Sequence, residues 1–112
     1  MSKYLLLILS LILLSTACTN TVEPLPPEAK KTNTPCTESA LQLGGTCYSA
    51  PTSYNETITW YENKAKNENW TFKSLTDDEP FSFLLATNDM KATLILFRQA
   101  DDKTTGILIR RE

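Results

Sequence analysis

The chain contains no histidine, and its 112 residues include only three cysteines and three glycines. Each shortage removes a class of chemistry. General acid–base and nucleophilic catalysis most often recruit histidine. With none present, no serine in a G-x-S-x-G setting and no carboxylate pair apart from the turns, no catalytic residue is assigned and the chain is read as a non-enzyme. The cysteines show no C-x-x-C spacing, so neither a zinc site nor a reactive pair is expected, and no metal or cofactor is assigned. Asp77-Asp78-Glu79 lacks the alternating ligands and glycine of a calcium loop and reads as a solvated turn, as does Asp101-Asp102. A basic face is missing too: eleven Lys and Arg stand against thirteen Asp and Glu, and the only basic clusters are the pairs Lys30-Lys31 and Arg110-Arg111. Nucleic acid is therefore not an expected partner. Finally, the longest apolar run, residues 5–14, is about half of the ~20 residues a helix needs to cross a bilayer.

What is present begins at that run. Lys3 supplies a positive charge, residues 5–14 a leucine-rich stretch, and Ser15-Thr16-Ala17 small residues ahead of Cys18. This is the arrangement of a cleaved secretory signal. Ala17-Cys18 further resembles the lipobox of bacterial lipoproteins, in which the small residue marks the cut and the cysteine sulfur carries a diacylglycerol. The resemblance implies a signal peptide over residues 1–17, lipidation of Cys18, and a membrane anchor in the cell envelope. Thr19 is not aspartate, which by the same resemblance implies the outer membrane, facing the periplasm, if the cell is Gram-negative.

Export to an oxidising compartment makes an odd thiol awkward. With Cys18 taken by lipid, Cys36 and Cys47 remain as one disulfide pair, and Gly44-Gly45 supplies the backbone freedom for a tight return between them. Closing a loop of that size stabilises a fold by about 2.5 to 3 kcal/mol on the chain-entropy account. Between Cys18 and Cys36 the composition is Thr, Asn, Pro, Glu and Lys, too polar for a core. Residues 18–35 are expected to be an extended tether, its 17 residues after the anchor reaching about 50 Å in the polyproline II form.

Residues 36–112 are expected to hold one small domain. Ser53 and Glu56 have capping-box spacing, and Tyr54, Ile58, Tyr61 and Ala65 then recur with helical period, predicting an amphipathic helix to about residue 68 with Trp60 at the edge of its buried stripe. Beyond it the period falls to two. Trp70, Phe72 and Ser74 mark a first strand, residues 81–87 a second, 91–99 a third and 104–111 a last, with a shorter strand at 46–50 ahead of the helix. Residues 93–97 are apolar on both faces and predict a central strand. The order implies an α+β fold, one helix packed across a four- to five-stranded antiparallel sheet in two layers.

Trp60-Tyr61 late in the helix, followed by Asn69-Trp70 opening the meander, is similar to small, largely uncharacterised bacterial envelope lipoproteins of helix-on-sheet form. Those carry an aromatic-Tyr pair in the helix and Gly-Trp at the next strand; Asn69 stands where glycine is usual. The likeness covers residues 48–110 and implies a fold rather than an activity. The expectation is a lipid-anchored envelope protein with a non-catalytic binding or structural role, docking on another envelope component. An uncovered Ile95 and Phe97, or Leu84 and Leu108, would provide an apolar patch for it; cover by the 36–47 loop and the tether would remove that patch. The alternative is a small apolar-ligand or lipid-binding module holding its ligand between helix and sheet, lined by Trp60, Tyr61, Trp70, Phe72 and Phe83.

Overall fold

The structure, a computed structural model, describes residues 23–112. The expected signal peptide, Cys18 and the start of the expected tether lie outside those residues. Among the described residues six strands and two helices run in the order β1 (Lys30–Lys31), α1 (Glu38–Gln42), β2 (Thr46–Ala50), α2 (Tyr54–Glu68), β3 (Thr71–Thr76), β4 (Phe81–Ala86), β5 (Lys91–Arg98) and β6 (Thr105–Arg111). All strand pairs are antiparallel, in the spatial order β1-β2-β6-β5-β4-β3. The fold is α+β, as the change of period implied, with six strands rather than four or five and a second helix.

Helix α2 forms where its caps dictate. The Ser53 hydroxyl accepts from the Glu56 N–H at 3.2 Å and the Glu56 carboxylate accepts from the Ser53 N–H at 3.0 Å, so two orphan donors of the first turn are satisfied reciprocally. At the other end Asn69 adopts a left-handed conformation (φ 58°) while the Trp70 N–H returns to the Ala65 carbonyl at 2.9 Å. Tyr54, Tyr61 and Ala65 are buried and Ile58 is half-buried. Thr57 joins them, its hydroxyl donating to the Ser53 carbonyl at 2.7 Å, which makes a polar side chain tolerable there.

One face of the sheet packs on α2 through Tyr48, Ala50, Phe83, Leu85, Ala92, Leu94, Leu96, Ile107 and Ile109. The register places Cys47, Leu108 and Ile95 side by side on the opposite face. There α1 lays Ala40 and Leu41 over Phe97 and Leu108, and the Cys36–Cys47 disulfide pins the loop that carries α1. The cover is partial: Phe97 and Leu108 are buried, while Leu84 and Ile95 remain half-buried. Strands β5 and β6 are central and buried on both sides, in line with the doubly apolar pattern of residues 93–97.

Over its described part, residues 23–35, the expected tether is instead part of the fold. Pro24 and Pro26 are buried, Leu25 and Ala29 pack on the α2 side of the core, and β1 pairs with β2 through Lys30 opposite Ser49 and Lys31 opposite Tyr48. The segment then passes to the other face, where Pro35 lies so close to Gly106 that a Cβ on that glycine would come within 2.7 Å of the Pro35 carbonyl oxygen. Gln99 donates to the same oxygen at 3.0 Å. A polar composition failed as a guide because the segment contributes backbone pairing and proline rings rather than an amphipathic stripe.

Candidate functional site

A hollow opens at the end of the two layers where the described chain begins. Helical geometry puts Trp60 and Lys64 on one side of α2, four residues apart. The left-handed Asn69 turns the chain so that Trp70 lies across from them. The turn between β4 and β5 adds Met90, fixed by the Thr87 hydroxyl, which accepts from the Asp89 and Met90 N–H groups at 3.2 Å each. Glu23, Pro24, Leu25 and Pro27 close one wall, and Arg111 of β6 stands beside Glu23. The space measures about 470 Å³, inside the range of roughly 300 to 1,000 Å³ usual for small-molecule sites.

Two bonds hold the entering chain against this hollow. The Tyr61 hydroxyl donates to the Pro24 carbonyl at 2.6 Å, both groups being buried, and Arg111 reaches the Glu23 carboxylate at 2.5 Å. Burial, with Glu23 nearby as the lesser cause, pushes the Tyr61 phenol far above its ordinary range. The hydroxyl therefore stays a proton donor at any physiological pH. Tyr48 is raised for the same two reasons, more modestly. Around the hollow the side chains are two indoles, a thioether, a leucine and prolines, with Lys64, Asp89 and the Arg111–Glu23 pair at the rim. Such a set grips an apolar or amphiphilic group and orients its polar end.

The five aromatic residues expected to line one ligand space divide. Trp60 and Trp70 line the hollow. Tyr61 and Phe83 are fully buried in the core, and Phe72 stacks on Phe83 with centroids 4.6 Å apart. Trp60–Tyr61 at 4.9 Å and Tyr61–Phe83 at 5.2 Å continue the series of ring contacts through the interior. The space between helix and sheet is therefore filled by these rings, and the hollow lies at the layers' end instead. Phe72 and Trp70 also border a shallower depression with Glu62, Asn63, Ala65 and Lys66. Sequence reasoning missed Leu25, Met90 and Arg111. The legible signal for the first was Pro24-Leu25-Pro26-Pro27, an apolar block inside an otherwise polar stretch.

The acidic turns hold structure together. Arg98 bridges Glu79 and Asp102 and lies 4.5 Å from the centre of the Tyr54 ring, while Asp102 also accepts the Tyr54 N–H at 3.0 Å at the start of α2. Among the described residues no three His, Cys, Asp or Glu side chains gather to hold a metal ion. No helix among them is long and apolar enough to cross a membrane. Cys36 and Cys47 are joined, with Cα atoms 6.2 Å apart. Cys18 lies outside the described residues. Comparison with known proteins finds no matching family model, no matching curated protein and no matching solved structure.

Proposed function

We propose that the protein is a lipid-anchored component of a bacterial cell envelope with a non-catalytic binding role, docking on another envelope component. The observation that carries this is a juxtaposition. A lipobox-type Ala17-Cys18 stands five residues ahead of Glu23, where the chain is fixed into a small disulfide-closed fold. On the sheet face away from α2, Leu84 and Ile95 are only half-buried, and among the described residues β3 is an edge strand that also carries the exposed Leu75, which together give the docking reading a surface. The test is membrane fractionation of cells carrying the full chain or Cys18→Ser, followed by cross-linking and mass spectrometry. The expected result is a membrane-bound wild type that captures one dominant envelope component and a Cys18→Ser form that is released and loses it. Equal membrane association of the two forms would contradict the anchor.

The second reading, a module for a small apolar ligand or lipid, is favoured by the Trp60–Trp70 hollow, whose volume suits such a ligand. An apolar dye titrated into the protein then changes the tryptophan emission saturably, and Met90→Trp, which fills the hollow, abolishes the response. A linear, non-saturable response would exclude it.

A further inference from the structure

Residue Glu23 bears on where the domain sits. The expected 50 Å of tether does not exist, because residues 23–35 are packed into the fold. Between Cys18 and Glu23 lie five Cα-to-Cα steps, which span at most about 18 Å even when fully extended. Glu23, Leu25 and Pro27 themselves line the hollow. A bilayer holding Cys18 by its lipid is therefore within about 18 Å of Glu23 at the hollow, whereas the opposite end of the sheet lies a further strand length away, about 20 Å for six residues.

The same end of the molecule carries what a membrane interface accepts. Both tryptophans of the chain are here, with Met90 in the β4–β5 turn and Leu43, 61% exposed, at the Gly44-Gly45 corner that leads into β2. Amphipathic indoles sit favourably at headgroup level. Lys64, Lys66, Lys91, Arg110 and Arg111 at this end are offset by Glu23, Glu68, Asp89 and Glu112, with Lys64 paired to Glu68 and Arg111 to Glu23, so this end is close to neutral and does not repel an anionic surface. The far end is different. Its turns carry Asp77, Asp78, Glu79, Asp101 and Asp102 against Arg98 and Lys103, a net negative face that anionic lipids push outward.

We propose that the end bearing the Trp60–Trp70 hollow rests on the phospholipid surface to which Cys18 is anchored, taking headgroups into the hollow and pointing the acidic turns away from the membrane. This rests on the reading of Cys18 as the lipid anchor. The experiment uses the full chain purified from a bacterial membrane, its lipid adduct checked by intact mass, in phosphatidylcholine–phosphatidylglycerol vesicles with or without brominated acyl chains. The expected result is blue-shifted tryptophan emission with loss of intensity on bromination, shared between Trp60→Phe and Trp70→Phe single variants. A protein with Trp60→Phe, Trp70→Phe and Asp78→Trp, its fold checked by circular dichroism, moves the only indole to the far end and is expected to show no quenching. Unquenched native tryptophans in lipidated protein, or equal quenching of the far-end reporter, would overturn the proposal while leaving the anchor intact. A Cys18 without lipid would overturn both.

Discussion

Tyr61 does two jobs with one ring: its body fills the centre of the core against Phe83, and its hydroxyl holds Pro24. Tyr61→Phe keeps the first and deletes the second, leaving a buried carbonyl without its donor. A loss of about 1 to 3 kcal/mol is expected in chemical denaturation, with residues 23–29 more open to protease. The pH dependence has a defined sign. A phenol whose folded pKa is raised above 10.0 contributes stability that is intact below pH 10 and falls away as pH climbs beyond it. Alkaline denaturation should accordingly be less steep in Tyr61→Phe, with Tyr48 and Tyr54, also raised, supplying the remainder. Gly106 is the second residue on which the N-terminal segment depends. Gly106→Ala would drive a Cβ into Pro35 and is expected to cost about 1 to 3 kcal/mol, measured the same way.

At the scale of elements, α2 stands on its capping box. Ser53→Ala should destabilise by about 1 kcal/mol in a denaturant titration. Glu56 is held below its usual carboxylate pKa by the bonds from Ser53, so its share is present above pH 4.5 and is lost as pH falls through the lowered value. The 36–47 loop stands on its disulfide. Reduction, or Cys36→Ser with Cys47→Ser, is expected to cost about 2 to 4 kcal/mol and to release α1 from Phe97 and Leu108, which an apolar dye would register as new binding. The elements with strong periodicity, α2 and the strands after it, were legible because each buries one face and its sequence alternates accordingly. Short α1 buries little beyond Ala40, and two-residue β1 is defined by backbone pairing alone, so neither leaves a pattern to read. The site was half legible for a related reason. Trp60 and Trp70 stand out as aromatics, whereas Leu25, Met90 and Arg111 reach the hollow only through a turn, a packed segment and a strand end that are remote in sequence.

At the scale of the whole molecule, the sheet divides the protein into an acidic end and an end where the chain enters, and the 23–35 segment ties the entry end to both faces of the sheet. A lipid on Cys18 would give that polarity a direction, because a link of four residues leaves the fold little room to turn over. Such an anchor would also concentrate the domain at a surface, raising its effective concentration toward any partner held there. The account depends on the chemistry of that one residue. Its most direct test is the intact mass of the protein recovered from a bacterial membrane, with its N-terminal peptide sequenced by fragmentation. The account predicts a mature chain that begins at Cys18 and carries a diacylglycerol on its sulfur; a chain that begins elsewhere, or an unmodified Cys18, would contradict it.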